Sequence, residues 1–419
     1  MPDLFLPPGV RYTCLRCGLC CRSLEVTLTE AERERLLATG GTPVAARLFA
    51  RLRGARGKQA WRLRPRPDGS CPFLGDDGLC QVHATLGYAA KPFAGRVFPF
   101  QFVVTPVGVF VGCRFDCPAV VRGSGEELEK QRGEVRRLYG EYARTYEPPT
   151  EDEPVRFFGH YKLSWRDLLR LEDQLTAFVL MSELNVPRRL LACLRLVRQF
   201  VGLAVGRRQE SRVGTDPEVL LDSVRGDVKG KRPGVLERLL VRLVVAAFVG
   251  ATPHSYRELP LASRLRVRFG NLWRRLKMAL GVGRVRLPGI ERPVRLREVG
   301  SVDMAALDAA SAAMLQRYLV AKVASQQFFG RACFGRSFAQ GFEFLALAYA
   351  AIVWLAAAHA LASGRRQTET ADVEYGIRQV DHGYNYLREL GGLAARTRAM
   401  LLWHWGTTEK VLTGLCRQR

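Results

Sequence analysis

The sequence predicts an α+β protein in which a small, loop-rich, cysteine-dense region precedes a mainly α-helical region. Eight of the eleven cysteines lie within the first 117 residues, among glycine-containing loops and short β-type runs such as Val107 to Val111. The acidic, proline-rich stretch Glu147 to Pro154 cannot continue a helix or a strand. Beyond this stretch, apolar residues recur at helical spacing. We therefore expect a cysteine-cluster metal-binding domain at 1–146, a linker at 147–154 and an α-helical domain at 155–419.

The individual helices follow from caps and apolar faces. A charged helix is predicted from Ser124 to Tyr146, directly before the linker. Ser164, with Asp167 three residues later, forms a capping box for the next helix. Asn185 can cap another helix that has Pro187 in its first turn. Further helices are expected from Val235 to Val249 and over the apolar face formed by Val373, Ile377, Val380, Tyr384 and Leu387.

One segment, Phe344 to Ala362, is apolar enough to resemble a membrane span. It is barely long enough to cross a bilayer, and alanine makes up much of it. Alanine gives little driving force for insertion but packs well inside a protein. We therefore expect a buried central helix rather than a membrane association.

The chain is strongly basic, with a net charge of +24, and this favours an acidic partner, whether protein, nucleic acid or anionic membrane. The charge is densest from Arg257 to Arg297, where twelve arginine and lysine residues face only Glu258 and Glu291. Nucleic-acid binding would need aromatic platforms between these charges, and Phe269 and Trp273 are too few. The sequence thus gives no strong nucleic-acid signal, and a solvated basic region is the favoured interpretation.

The cysteines predict a metal site. Four of them, Cys14, Cys17, Cys20 and Cys21, fall within eight residues, and thiolates at this spacing converge on one soft ion or cluster. The Cys-x2-Cys-x2-Cys spacing matches the start of the bacterial ferredoxin run, which favours iron–sulfur slightly over zinc. Structural disulfides and buried inert thiols are the alternatives. The N-terminus lacks the basic and apolar parts of a secretory signal, so we expect a cytoplasmic protein with reduced thiols. The candidate metal ligands are Cys14, Cys17, Cys20, Cys21, Cys71, Cys80, Cys113 and Cys117.

The order of motifs adds a resemblance. Cys14-Leu-Arg-Cys17-Gly-Leu-Cys20-Cys21 is followed by Cys71-Pro-Phe-Leu, Gly78-Leu-Cys80-Gln-Val-His83, Lys91-Pro92, Arg96-Val-Phe-Pro-Phe100 and Cys117-Pro118. Over about residues 10 to 120, this order resembles the YkgJ-type cysteine-cluster family, the zinc- or iron-chelating CxxCxxCC proteins, which includes flagellin lysine N-methylases. The resemblance implies an iron–sulfur cluster, expected as [4Fe-4S], or zinc. It also implies S-adenosylmethionine as donor and methyl transfer to a lysine of a flagellin-like protein substrate.

The residues give methyl transfer no independent support. No strand leads into a glycine-rich turn and helix of the kind that cradles the methyl donor, so catalytic and donor-binding residues stay unassigned. A non-catalytic metal protein with a structural, redox-sensing or electron-transfer role is the alternative, and a nucleic-acid adaptor is a third. In either metal-binding case, the order of the region ahead of Glu147 should depend on the metal.

One position departs from the family pattern. Gly95 stands where family members usually carry a cysteine, and Cys113 is an additional cysteine four residues before Cys117. We hypothesise that Cys113 supplies the missing thiolate; the alternative is an incidental thiol and a lost ligand. The expected first ligand set is Cys14, Cys17, Cys20 and Cys117, with Cys21, Cys71, Cys80 and Cys113 near a second site or shell.

Histidines contribute little to the predicted site. His83, three residues after Cys80, has ligand spacing but is equally compatible with a supporting role. The other five are expected to have structural roles without carboxylate or cysteine partners: His160, His254, His359, His382 and His404.

Overall fold

The computed structural model describes residues 2–38, 46–52, 59–206, 217–226, 228, 230–249, 256, 259–302, 307–386 and 388–416. These residues form mainly α-helices, together with short strands in small sheets. The cysteine-rich N-terminal region is followed by a mainly helical region. The α+β class predicted from the sequence is therefore confirmed.

The strands are short, and most lie ahead of residue 130. Their bounds are β1 Leu4–Phe5, β2 Arg11–Tyr12, β3 Thr27–Thr29, β4 Phe49–Arg51, β5 Gln59–Leu63, β6 Phe100–Thr105, β7 Gly108–Cys113, β8 Glu126–Glu127, β9 Val155–Phe158, β10 Tyr161–Leu163, β11 Arg284–Val285 and β12 Val294–Arg295. β6 and β7 form an antiparallel hairpin in which Phe100 lies opposite Cys113, and β1 joins β7 in parallel. A second three-stranded sheet has the order β3-β5-β4. The hairpin therefore places Cys113 at the end of a central strand.

The helices dominate the rest of the chain. Their bounds are α1 Cys20–Ser23, α2 Glu30–Ala38, α3 Gln81–Leu86, α4 Phe93–Val97, α5 Pro118–Arg122, α6 Arg132–Tyr146, α7 Trp165–Leu180, α8 Val186–Ala204, α9 Pro217–Arg225, α10 Val235–Val249, α11 Leu261–Leu280, α12 Ala309–Ala324, α13 Phe338–Ala362, α14 Thr370–Tyr386, α15 Leu393–His404 and α16 Thr407–Cys416.

The predicted caps are confirmed. The backbone N–H of Asp167 donates to Ser164 Oγ at 3.2 Å, and α7 begins at the next residue after Ser164. Asn185 Oδ1 accepts from the N–H of Arg188 at 3.1 Å and starts α8. Both side chains satisfy N–H groups that the first helical turn leaves unpaired. The helix predicted from Val235 to Val249 is also confirmed, since α10 begins and ends at these residues.

The predicted start of the helix before the linker is wrong. That helix, α6, begins at Arg132 rather than at Ser124. The residues from Ser124 to the start of α6 make other contacts. In this segment, β8 pairs antiparallel with β2, and the carbonyl of Ser124 accepts from the N–H of Thr13 at 2.9 Å. Leu387, His254, Arg257 and Glu258, which entered the sequence predictions, lie outside the described residues.

Two hydrophobic cores hold the described residues together. The larger core takes side chains from both sides of residues 147–154, from Leu4 to Cys416. The smaller core lies wholly in the N-terminal region and consists of Val26, Leu28, Leu36, Phe49, Leu63, Phe73, Val82 and Ala94. Residues 147–154 form neither helix nor strand, and the N–H of Glu151 donates to the carbonyl of Val104 at 2.8 Å. The predicted division into two domains stays a prediction.

The long apolar helix α13 lies in the larger core. By length and composition it could cross a membrane, but 78% of its most apolar window is buried inside the protein. Gly376 of α14 approaches it so closely that a Cβ there would lie 2.6 Å from the carbonyl oxygen of Ile352. Small residues on both helices therefore allow close backbone packing.

A buried ion pair joins the cysteine-rich hairpin to the helices. Lys322 Nζ of α12 lies 2.6 Å from Asp381 Oδ1 of α14, and both side chains are almost completely buried. The other carboxylate oxygen of Asp381 accepts from the backbone N–H of Phe115 at 2.6 Å. Because Phe115 follows β7, this carboxylate connects the N-terminal region to two core helices.

We predict that Asp381→Ala lowers the free energy of unfolding by about 3–5 kcal/mol, because it leaves the Lys322 ammonium buried without its counter-charge. Urea unfolding followed by circular dichroism would measure the loss. Asp222→Ala is the control, since Asp222 pairs with Arg225 at the surface and should contribute less than about 1 kcal/mol. Equal losses in the two variants would contradict the structural role of the buried pair.

Candidate metal centre

A close backbone contact brings the first cysteine run onto the turn between Cys71 and Cys80. Gly18 has a left-handed φ of +66°, and a Cβ on it would lie 2.6 Å from the carbonyl oxygen of Gly78. A glycine is therefore required here both by the backbone conformation and by the space available. The N–H of Cys71 also donates to the carbonyl of Cys21 at 2.7 Å, which fixes the two segments side by side.

The turn itself is built from local hydrogen bonds. The N–H of Gly75 donates to the carbonyl of Leu79 at 2.8 Å, and Asp77 Oδ1 accepts from the N–H of Leu79 at 2.9 Å. Cys80 then becomes the residue that precedes α3. Cys71 and Cys80 both pack against the smaller core, so this core sets the positions of their thiols.

Four cysteines line one small pocket of about 30 Å³: Cys20, Cys21, Cys71 and Cys80. Lys91 and Gly95 line the same pocket, and the remaining walls are apolar. A Cβ on Gly95 would lie 3.0 Å from Cε of Lys91, so the lysine side chain occupies the space beside this glycine. The pocket thus combines four soft donors with one cation.

The two adjacent thiols of the pocket interact directly. Cys20 Sγ and Cys21 Sγ are 4.0 Å apart. The hydrogen bond between them raises the pKa of Cys20 and lowers the pKa of Cys21. Burial raises the pKa of Cys20 further. The Lys91 ammonium favours the thiolate at both positions. Burial raises the pKa of Cys71 to about 11.

The other four predicted ligands lie outside this pocket. Cys14 and Cys17 are exposed, whereas Cys113 and Cys117 are buried. Burial raises the pKa of Cys117 to about 12. The pKa of Cys113 is also raised, mainly by burial and to a smaller extent by the charge of Cys117. Burial, and then the charges of Cys14 and Cys117, raise the pKa of Tyr12, so this tyrosine lies near both cysteines. Sequence reasoning did not identify Tyr12, which no motif marks.

The arrangement differs from the expected ligand sets in two members. Cys20 shares the pocket with Cys21, Cys71 and Cys80, while Cys113 lies beside Cys117. Cys113 therefore does not line the pocket that contains Gly95. The reason is the register of the hairpin, which places Cys113 at the end of β7, near Lys322 and Asp381.

Two histidines have carboxylate partners, which corrects the expectation that they lack them. His382 Nδ1 lies 3.3 Å from Asp116 Oδ2, and His359 Nδ1 lies 2.5 Å from Asp372 Oδ1. The Arg114 guanidinium and His382 together hold the pKa of the buried Asp116 well below its usual range, although burial opposes them. The first pair joins residues 266 positions apart, so no local sequence signal could have found it, whereas His359 and Asp372 are only 13 positions apart. His83 stacks edge-on against Tyr88 and does not line the cysteine pocket.

The donor set suits a soft metal, since thiolates select zinc and iron. In the described part of the chain, however, no three histidine, cysteine, aspartate or glutamate side chains are placed to hold one ion as they stand. No disulfide bond joins any of the eleven cysteines, all of which lie in the described residues. The four pocket thiols would therefore have to move closer together to share a metal.

Comparison with known proteins gives one match. Residues 13–116 match the sequence model of the CxxCxxCC family, described as a "putative zinc- or iron-chelating domain". This match supports the cysteine-cluster family for residues 13–116. No curated protein and no solved structure matches the chain.

We predict that Gly18→Ala lowers the free energy of unfolding by about 1–3 kcal/mol more than Gly9→Ala, because only the first substitution forces a side chain against backbone. Gly9 is a matched control, since its φ is +69° and a Cβ there would meet nothing within 4 Å. Urea unfolding of both variants measures the difference. An equal loss of stability in the two variants would mean that the first cysteine run is not in close contact with the turn between Cys71 and Cys80.

Proposed function

We propose that the N-terminal region binds one zinc or iron ion through Cys20, Cys21, Cys71 and Cys80. The observation that carries this proposal is that these four thiols line a single pocket. The match of residues 13–116 to a metal-chelating family supports it independently. The thiols come from two segments about 50 residues apart, and a shared ligand is a physical reason for bringing them together.

The sulfur spacing favours a single ion. Two thiolates bound to the same tetrahedral zinc lie about 3.8 Å apart, given a Zn–S distance of about 2.3 Å. Cys20 Sγ and Cys21 Sγ are 4.0 Å apart, close to that value. In a [4Fe-4S] cluster each cysteine ligates a different iron, so adjacent thiolates would be farther apart, whereas in a [2Fe-2S] cluster two cysteines share one iron. This geometry shifts the preference away from the expected [4Fe-4S] cluster and toward a single ion.

Lys91 is suited to balance the charge of the site. Four thiolates on a divalent ion leave a net negative charge, and the walls around the pocket are largely apolar. The ammonium of Lys91 offsets part of that charge. Its side chain fills the space beside Gly95, so the lysine stands where a further thiolate would otherwise be placed.

The role that we assign to this centre is structural, since a metal held by four protein thiolates has no open position for a substrate. We also propose a cytoplasmic location, because thiolate ligands stay reduced there. Methyl transfer from S-adenosylmethionine to a lysine of a protein substrate rests on the resemblance to flagellin lysine N-methylases alone. A titration of the purified protein with the donor tests this activity separately.

The metal proposal is tested by metal analysis of anaerobically purified protein and of single serine variants. The wild type should hold about one zinc or iron per chain, and Cys21→Ser, Cys71→Ser and Cys80→Ser should each weaken binding by more than about tenfold. Cys416→Ser, at a cysteine of the larger core, is the control and should retain the metal. Metal-free wild type, or full retention in all three variants, contradicts the proposal. An electron paramagnetic resonance signal of a cluster would overturn the single-ion assignment.

We further predict that chelation loosens only part of the N-terminal region. Cleavage by trypsin should increase within 59–95, because the smaller core and the four thiols stabilise each other there. Residues 100–139 should stay protected, because their apolar side chains belong to the larger core. Mass spectrometry of the fragments, with and without added zinc, locates the cuts. Equal protection of 59–95 with and without the metal would contradict this dependence.

A further inference from the structure

Helix α11, from Leu261 to Leu280, presents a stripe of large apolar side chains to solvent. The stripe comprises Leu261, Leu265, Phe269, Leu272, Trp273, Leu276 and Leu280, which are between 42% and 67% exposed. At about 3.6 residues per turn, these positions lie on one face and cover about a third of the circumference of the helix. Only Met278 and Ala279 of this helix are buried. An exposed apolar face of this size indicates an interaction surface.

The charges around the stripe have one sign. The helix contains six basic residues and no acidic residue. Arg266 and Lys277 lie along one edge of the stripe, and Arg268 and Arg275 lie along the other. No carboxylate in the described ranges pairs with Arg266, Arg268 or Lys277. The partner of this face therefore has to be apolar at its centre and negatively charged at its edges.

The C-terminal end of the helix leads to a cavity of about 520 Å³ with both apolar and polar walls. Met278 and Gly281 line it together with apolar side chains of α10 and α13, and Arg242 and Arg297 are its charged residues. The same combination of apolar surface and positive charge thus continues beyond the helix.

We propose that α11 binds the surface of a membrane that contains anionic phospholipids, with its axis parallel to the bilayer. The stripe enters the boundary between headgroups and acyl chains, and the flanking basic side chains reach outward to the lipid phosphates. Trp273 lies within the stripe, and tryptophan is enriched at this boundary. An acidic protein helix offers the same charge, but a flat bilayer fits an exposed stripe that runs the length of a 20-residue helix without a groove of its own.

The composition of the helix distinguishes this face from α13. Helix α13 is apolar on all sides and lies in the core, as expected of a helix that packs within the protein. In α11 the exposed large apolar residues are confined to one face, and the remaining positions are rich in arginine. The proposal is thus for peripheral binding and involves no membrane-spanning segment.

The test is co-sedimentation of the full-length protein with vesicles of phosphatidylcholine alone and of phosphatidylcholine mixed with phosphatidylserine. Binding should require phosphatidylserine and decrease with salt, since the basic residues act near the surface. The double variant Phe269→Ser/Trp273→Ser should lose at least about tenfold in partitioning. Arg266→Gln/Arg268→Gln should lose about 30-fold on the anionic vesicles, which corresponds to about 1 kcal/mol for each charge. Leu393→Ser is the control, because Leu393 is an exposed apolar side chain, 83% exposed, that lies on another helix and outside the stripe.

Circular dichroism of each variant confirms that the fold is retained. Quenching by lipids brominated in their acyl chains should be smaller in Trp273→Phe than in the wild type, because Trp273 enters the bilayer. Absence of vesicle binding, or binding that the stripe variants leave unchanged, overturns the proposal. A dimer in sedimentation velocity that dissociates in Phe269→Ser/Trp273→Ser, without vesicle binding, would assign the stripe to a second copy of the chain. A lower melting temperature of that variant, again without vesicle binding, would assign it to packing within the protein.

Discussion

The N-terminal region and the helices of this protein are joined by the contacts that the Asp381 carboxylate makes, and their relative position depends on these contacts. This carboxylate is completely buried, pairs with Lys322 and accepts the backbone N–H of Phe115. Lys322 in turn donates to Gln327 Oε1 at 2.9 Å, and Gln327 donates to Gln101 of the hairpin. Since a buried charge is tolerated only with its partners in place, the hairpin and the two helices have one favourable relative position. Cys113 ends the hairpin and Cys117 follows it, so the same contacts also fix where these two cysteines lie.

The candidate metal centre lies against the smaller core. Its thiols depend on a few apolar side chains and on the contact of Gly18 with Gly78, whereas Cys113 and Cys117 belong to the larger core. Small cores contribute little stability by themselves, and a metal commonly supplies the remainder. The proposed centre and the smaller core are thus best understood as one unit, and the helices as a support that stands without it.

The sequence predicted local features well and distant contacts poorly. The cap formed by Ser164 was predictable because its hydrogen bond spans three residues. The cysteines could be singled out as candidate metal ligands because their type and spacing indicate that chemistry. Their grouping was not, since the contact between Cys21 and Cys71 crosses about 50 residues and depends on the fit of one turn against another. The pair between Asp116 and His382 joins residues even farther apart, for which periodicity and spacing contain no signal.

The position of α13 in the chain has a consequence for synthesis in the cell. This apolar helix packs against α8 and α10, which precede it, but also against α14 and α16, which the ribosome produces later. A nascent chain therefore exposes much of the apolar surface of α13 until these last helices have emerged. During that interval the segment resembles a membrane span to any factor that reads hydropathy. The helices that are synthesised last therefore complete the burial of α13 at the centre of the folded protein.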